Sequence, residues 1–222
     1  MALDAAEEEN IEAVKRWWED NGKFLSSVVI VVAVAWGGWT FWENSREATK
    51  SAASDLYQQI LSLAIVGPEA EVTEADRASI AAAAQLLKDD YPDSVYALYG
   101  AMFVAQQAVE SGDLEGAQTE LEWVRENAEG GLLKKTDPGL RLSASLRLGR
   151  VLLASGDNEA ALDLVEAIDP QSFEAEFAEL RGDIYVALGR NTDAQDAYTT
   201  ALEAGGTSAF LRMKLDELAI GS

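Results

Sequence analysis

A run of nineteen uncharged residues near the start of the chain limits what it can fold into more than any other feature. The run covers residues 24–42, FLSSVVIVVAVAWGGWTFW, between Lys23 and Glu43. Since a helix rises about 1.5 Å per residue, this length reaches about 28 Å, close to the ~30 Å hydrocarbon core of a bilayer. The run therefore predicts a single transmembrane helix, because a bilayer accepts a helix of such low polarity.

Aromatic residues lie at both ends of this run, where their amphipathic rings suit the headgroup regions of a bilayer. They are Trp17, Trp18 and Phe24 at one end and Trp36, Trp39, Phe41 and Trp42 at the other. A core helix of a water-soluble protein is one alternative, but such helices usually keep a polar stripe. A cleaved signal peptide is another, but residues 1–23 hold seven acids against three bases, and no clear A-x-A site closes the run.

Basic residues on the two sides of the run bear on its orientation. Three precede it and two follow it: Lys15, Arg16 and Lys23, then Arg46 and Lys50. Because basic flanks tend to stay in the cytoplasm, this small difference favours a cytoplasmic tail over residues 1–23. Residues 43–222 then lie on the far side of the membrane, which in a bacterium is the periplasm.

Cysteine and histidine, which carry much of protein chemistry, are absent from the chain. The sequence therefore has no disulfide, no thiolate nucleophile and no Ser-His-Asp triad, and a zinc site is disfavoured. With 39 acidic and 17 basic residues the net charge is −22, so the surface repels phosphate groups and no nucleic-acid partner is expected. Paired acids arise by chance at this composition, and no motif for a cofactor or a phosphate is found.

The sequence after the run, residues 43–222, is typical of an all-α domain. Alanine, leucine and glutamate dominate, and the four prolines fall where helices would end. Three segments share a glycine followed five residues later by an alanine, which indicates a turn between two helices. The pairs are Gly112 with Ala117, Gly156 with Ala161, and Gly189 with Ala194. The glycines are 44 and 33 residues apart, and a loop over residues 129–139 can hold the eleven additional residues.

A second small residue precedes each turn by seven positions: Ala105, Gly149 and Gly182. Small residues let the helices of a hairpin approach closely, and larger residues then fill the rest of the contact. The larger residues are Leu121, Val165 and Tyr198, with Val124, Ile168 and Ala201 one turn further on. The chain here resembles tetratricopeptide repeats, whose period is about 34 residues. We therefore predict a single N-terminal transmembrane helix followed by a tetratricopeptide-like helical-hairpin solenoid.

Further helices are expected at the two ends of the repeats. An earlier hairpin takes one helix over residues 43–66 and another over residues 73–90, where Thr73 and Asp76 can form a capping box. A final amphipathic helix over residues 208–219 can cover the far end, because repeat arrays need a cap.

The first helix of each hairpin is expected to line the concave inner face of such a stack. The candidate partner-binding residues there are Tyr99, Met102, Gln106, Leu146, Arg150, Leu153, Asp183 and Val186. Their apolar members can hold apolar side chains of an extended or helical polypeptide, while Arg150 and Asp183 can pair with its charges. The alternative is that many of them pack hairpin against hairpin or against the terminal helix.

Small residues within the predicted span are candidates for contact with a partner's membrane helix. Ala33 and Gly37 are four residues apart, and Gly38 and Trp39 adjoin them. Ordinary helix composition explains the same residues equally well.

Several short segments, spread over nearly the whole chain, carry a more specific resemblance. They are EAVKRWWEDNGK at residues 12–23, GWTFW at 38–42, LRLGR at 146–150, LRG at 180–182 and MKL at 213–215. In these segments the chain resembles the YfgM family, which comprises ancillary subunits of the bacterial SecYEG translocon. The resemblance implies an inner-membrane anchor and a non-enzymatic periplasmic domain. It also implies work beside a membrane-anchored periplasmic prolyl isomerase-like chaperone, handling unfolded or secreted polypeptides.

Two other functions stay open from the residues alone. One is a helical-repeat scaffold for envelope assembly or cell-division coordination, away from the translocon. The other is a hydrolase or transferase that uses carboxylates, which requires a deep cleft with paired acids of raised pKa.

Overall fold

The computed structural model describes residues 5–65, 72–128, 137–207 and 209–220. Every regular element within these ranges is a helix, which confirms the predicted all-α fold class. The chain divides into two compact units, Met1–Ser51 and Ala52–Ser222. The domain boundaries expected after residues 23 and 42 stay predictions.

Helix α1, whose bounds are Ala5–Ala64, contributes its residues up to Ser51 to the first unit. In the residues that the structure describes, no helix has both the length and the apolar composition needed to cross a membrane. The side chains of residues 24–30, the first part of the predicted span, lie outside the described ones. The transmembrane helix over residues 24–42 therefore stays a prediction.

The second unit contains the end of α1 and eight further α-helices within the described ranges. They are α2 (Glu74–Asp90), α3 (Val95–Ser111), α4 (Leu114–Asn127), α5 (Pro138–Ser155), α6 (Asn158–Glu166), α7 (Glu174–Ala187), α8 (Asn191–Glu203) and α9 (Ala209–Ile220). Three successive hairpins pair α3 with α4, α5 with α6, and α7 with α8, and α9 packs on α8. This order is that of the predicted helical-hairpin solenoid. A short 3-10 helix before α7, Gln171–Phe173, was not predicted.

Glycines in the left-handed conformation end the first helix of each hairpin, as the repeated pattern predicts. Gly112, Gly156 and Gly189 have φ values of 81°, 89° and 72°. A residue with a side chain would place its Cβ close to the backbone carbonyl in this conformation, at a cost of about 1–2 kcal/mol. The three glycines therefore fix where the hairpins turn.

The predicted contacts between the two helices of a hairpin are confirmed by burial. The buried residues of the second helices include Ala117, Leu121, Ala161, Val165, Ala194 and Tyr198. Neighbouring hairpins also approach closely: a Cβ built on Gly149 would lie 2.8 Å from Cδ2 of Leu180. A methyl group at this position would have to displace the Leu180 side chain, which is 1% exposed, so the packing favours glycine here.

The predicted helix starts are confirmed at α2 and corrected at α5. Oγ1 of Thr73 accepts a hydrogen bond from the backbone N–H of Asp76 at 3.2 Å, and the Thr73 N–H donates to the Asp76 carboxylate at 3.2 Å.

The predicted loop over residues 129–139 was too long, because α5 already begins at Pro138. Proline suits the first helical turn, and the Asp137 side chain caps it. Residues 129–136 lie outside the described part of the chain.

Candidate functional site

Three of the predicted partner-binding residues contribute to the core of the repeats. Met102 is 7% exposed and Leu146 is 6% exposed, and both belong to the main cluster of buried side chains. Leu153 is half-buried against the same cluster. These side chains pack hairpin against hairpin, because an apolar group at such a contact is stabilised by burial. They therefore offer little surface to a partner.

A groove of about 310 Å³ lies between the C-terminal halves of α3 and α5. Helix α4 contributes Leu114 and Leu121 to it. The other lining residues are Ala105, Gln106, Val109 and Glu110 from α3 and Arg147, Arg150, Val151 and Ala154 from α5. The groove thus brings together two of the predicted residues, Gln106 and Arg150, on a mostly apolar lining.

Helical spacing and small side chains produce this groove. The α5 residues that line it lie three or four positions apart, so they share one face of the helix. Ala105 of α3 and Ala154 of α5 have side chains too short to fill the space between the two helices. The turn glycines Gly112 and Gly156 end these helices just beyond the groove, which places the two faces at the same level of the stack.

Two guanidinium groups border the groove and are not paired with any described residue. Arg147 and Arg150 are both exposed, and neither takes part in a hydrogen bond or an ion pair with the described chain. The acid in the lining, Glu110, accepts a hydrogen bond from Nε2 of Gln106 at 2.9 Å. The groove therefore combines an apolar lining with positive charge, although the chain as a whole carries a net charge of −22.

The predicted residue Asp183 is engaged by the C-terminal helix. Nζ of Lys214 in α9 donates to Oδ2 of Asp183 at 2.9 Å and to Oε1 of Glu179 at 2.8 Å. The hydroxyl of Tyr198 donates to Oδ1 of Asp183 at 2.7 Å. The charge of Asp183 is thus used to attach α9 to α7, which was the alternative interpretation of this position.

These contacts shift the titration of both donors. Burial of its ring, and then the hydrogen bond to Asp183, raise the pKa of Tyr198. Burial by itself lowers the pKa of Lys214, but hydrogen bonds and charges of Asp183 and Glu179 together outweigh it and raise that pKa. The neutral phenol and the charged ammonium are therefore the forms that the fold favours.

Tyr99 and Val186 are exposed, but neither lines the groove. The Tyr99 ring belongs to an aromatic group, with its centroid 6.0 Å from that of Tyr57 in α1. Tyr57 was not among the predicted residues, because nothing in the sequence pattern brings the end of α1 beside α3. Arg147 was not among them either, although it lies one helical turn before Arg150 and so shares its face.

The candidate contact residues of the predicted span, Ala33, Gly37, Gly38 and Trp39, are all exposed. A Cβ built on Gly37 or Gly38 would meet no other atom within 4 Å. Packing within the described chain therefore places no demand for glycine at either position. The Trp39 ring contacts the Trp42 ring at a centroid distance of 5.6 Å.

Curated proteins of similar sequence carry the name ancillary SecYEG translocon subunit. The one from Escherichia coli is 29% identical and covers 99% of this chain and 100% of its own length. Those from Neisseria gonorrhoeae and Haemophilus influenzae are 28% and 26% identical, and each match covers 98% of this chain and 100% of the relative. These matches confirm the resemblance to the YfgM family.

Structure comparison supports the same fold. A solved structure described as MamA RS-1 ArsTM double mutant matches with a TM-score of 0.53 at 17% identity, over 78% of this chain and 84% of the other. The family model described as a tetratricopeptide repeat-like domain matches residues 15–220. The chain therefore belongs to the tetratricopeptide repeat-like domain family.

Proposed function

We propose that this chain is a non-enzymatic accessory subunit of the SecYEG translocon whose repeats bind segments of translocated polypeptides. The names of its full-length relatives support the accessory role. The groove between α3 and α5 is the observation that supports polypeptide binding. It brings the predicted residues Gln106 and Arg150 together on an open, mostly apolar surface.

The size of the groove suits a short segment of polypeptide. At about 310 Å³ it lies at the small end of the range for ligand pockets, about 300 to 1,000 Å³. Such a space accepts one or two side chains of a passing polypeptide, and is too small for a folded domain. A short contact of this kind gives weak, readily reversible binding, which suits the transient handling of emerging chains.

Residues 24–42 serve as the membrane anchor in this proposal. The described side chains from Val31 to Trp42 are exposed, although the segment has no charge and is rich in valine and tryptophan. The hydroxyl of Thr40 donates to the backbone carbonyl of Trp36 at 2.8 Å, so that polar group is already satisfied within the helix. A bilayer would cover this apolar surface, which no described part of the chain buries.

The anchor can be tested by alkaline carbonate extraction of membranes that contain the full chain. We expect the chain to stay in the membrane pellet. A matched variant with Val31→Lys and Val34→Lys should insert poorly, because each charge at the centre of a span costs about 2.5–3.5 kcal/mol on insertion scales. Release of the wild-type chain into the supernatant would exclude an integral anchor.

Topology and partners complete the proposal. The short N-terminal tail faces the cytoplasm and the repeats face the periplasm, where they meet unfolded or secreted polypeptides and a membrane-anchored prolyl isomerase-like chaperone. Ala33, Gly37, Gly38 and Trp39 are offered as the contact with a partner's membrane helix, because exposed small residues permit close helix approach in lipid.

Photo-crosslinking from position 39 in native membranes separates this proposal from its rival. A photoreactive residue in place of Trp39 should give adducts with translocon subunits. Adducts only with envelope-assembly or cell-division proteins would favour a scaffold away from the translocon. The control is the same residue in place of Ile65, which is exposed and lies beyond the predicted span.

A further inference from the structure

We propose that the groove between α3 and α5 selects polypeptide segments in which an apolar side chain is flanked by carboxylates. This inference rests on the proposed polypeptide binding and adds the chemistry by which a segment is recognised. The carboxylates would bind Arg147 and Arg150, and the apolar side chain would enter the groove beside them.

The first support is that both arginines lack a partner among the described residues, in a chain where partners are plentiful. Acids outnumber bases by 39 to 17. The ammonium and guanidinium groups of Lys88, Arg190 and Lys214 each have a carboxylate within 2.6 to 2.8 Å. Two arginines one helical turn apart, with no partner among the described residues and at the edge of an open groove, are suited to bind an external acid.

Their geometry is the second support. Arg147 and Arg150 lie three positions apart on α5, so both side chains leave the same face of the helix. A guanidinium presents a planar fork of N–H donors that matches the two oxygens of a carboxylate. Two such forks side by side can hold two acidic residues on either side of one apolar residue.

The apolar part of the site lies directly beside these charges. Val109, Val151 and Ala154 line the groove together with the arginines. Val109 is 46% exposed, so part of its side chain is free to be covered by a bound segment. Burial of an apolar side chain there stabilises the complex, while the arginines determine which segments bind.

The net charge of the chain does not prevent this selection. At physiological ionic strength, charges beyond about 8 Å are largely screened, so a bound carboxylate responds mainly to the groups that line the groove. Those groups are two arginines and Glu110, and the Glu110 carboxylate already accepts a hydrogen bond from Gln106. The charge of the groove lining is therefore positive.

The test uses three short fluorescein-labelled peptides that differ only beside a central leucine. The flanking residues are glutamate, glutamine or lysine, and binding to the purified full chain in mild detergent is measured by fluorescence anisotropy. We expect the glutamate peptide to bind about tenfold more tightly than the glutamine peptide, and the lysine peptide to bind most weakly. Added salt should reduce the difference.

Variants of the arginines test the assignment. The double variant R147Q/R150Q should remove the preference, so that the glutamate and glutamine peptides bind equally. The charge reversal R150E should shift the preference towards the lysine peptide. The matched control R212Q changes an exposed arginine of α9 outside the groove, and should keep the wild-type preference.

The outcomes are distinct. Equal binding of all three peptides, or a preference that survives R147Q/R150Q, would overturn the selection of carboxylates and leave polypeptide binding in place. Binding of none of the peptides would overturn both the selection and the proposed role of the groove.

Discussion

The ring of Tyr198 in α8 occupies the space that a side chain at Gly182 in α7 would need. A Cβ built on Gly182 overlaps the tyrosine ring, and the tyrosine is 2% exposed. Its hydroxyl extends past the glycine to donate to Asp183 at 2.7 Å. The large residue on α8 and the absence of a side chain on α7 therefore determine how closely these two helices approach each other.

We expect Gly182→Ala to destabilise the repeats by about 1–3 kcal/mol, because the new methyl group must displace a ring in a fully packed contact. Urea unfolding of the full chain in mild detergent, followed by far-UV circular dichroism, measures the change. Gly139→Ala is the control: among the described residues its Cβ would have only the Asp137 side chain nearby, at 3.6 Å, so it should be neutral or slightly stabilising. Equal effects of the two substitutions would contradict the packing described for Gly182.

The pKa shifts near α9 predict a loss of stability at alkaline pH. The pKa values of Tyr198 and Lys214 are raised in the fold, above about 10.0 and 10.5. The neutral phenol and the charged ammonium are favoured by folding, so their contribution is complete below those values and is lost as the pH rises through the folded pKa. The free energy of unfolding should therefore fall above pH of about 10.

The variant Tyr198→Phe isolates the contribution of the phenol to this loss of unfolding free energy. It should cost about 1 kcal/mol at pH 7, because the hydrogen bond to Asp183 is removed. Above pH of about 10 it should reduce the slope of stability against pH by up to ~1.4 kcal/mol per unit, the value for one linked proton. Unfolding free energies at a series of pH values give both numbers, and an unchanged slope would show that Tyr198 is not linked to folding.

Two N-cap residues of this chain differ in their hydrogen bonds, so we expect their substitution by alanine to cost different amounts of stability. Thr73 has a complete capping box with Asp76, whereas the Asp157 side chain makes no capping hydrogen bond at the start of α6. Thr73→Ala should cost about 1 kcal/mol and Asp157→Ala much less. Thermal unfolding of the two variants tests this, and a larger loss for Asp157→Ala would mean that the caps have been wrongly assigned.

If polypeptides bind in the groove, a charged side chain introduced there should weaken peptide binding. Val109→Asp should weaken binding of a leucine-containing peptide about tenfold, a loss of about 1.4 kcal/mol, with little change in stability. Leu86→Asp is the matched control, because Leu86 is 48% exposed and lies on α2 outside the groove. Fluorescence anisotropy measures both affinities. If the two variants bind equally, the groove is not the binding surface.

The repeat pattern in the sequence was sufficient to predict the hairpins but not the surface between them. Gly112, Gly156 and Gly189 could be recognised because each turn depends on local backbone conformation. The contacts of the second helices followed, because helical periodicity sets which residues face inward. The same periodicity cannot tell whether Met102 or Gln106 is buried, since that depends on how closely the next hairpin packs.

The end of the repeats illustrates the same limit. Lys214 is an ordinary basic residue of an amphipathic helix when seen in the sequence. Its contacts with Glu179 and Asp183 join positions more than 30 residues apart, and no local pattern predicts such a pair. Predicting that Asp183 pairs with Lys214 required knowing where α9 would lie.

Photo-crosslinking from position 106 during active protein export tests polypeptide binding in the groove most directly. A photoreactive residue in place of Gln106 should give adducts with newly exported polypeptides, and these should decrease when export is blocked. The same residue in place of Leu86 should give few. Equal adducts from both positions, or none from position 106 while export proceeds, would contradict the account.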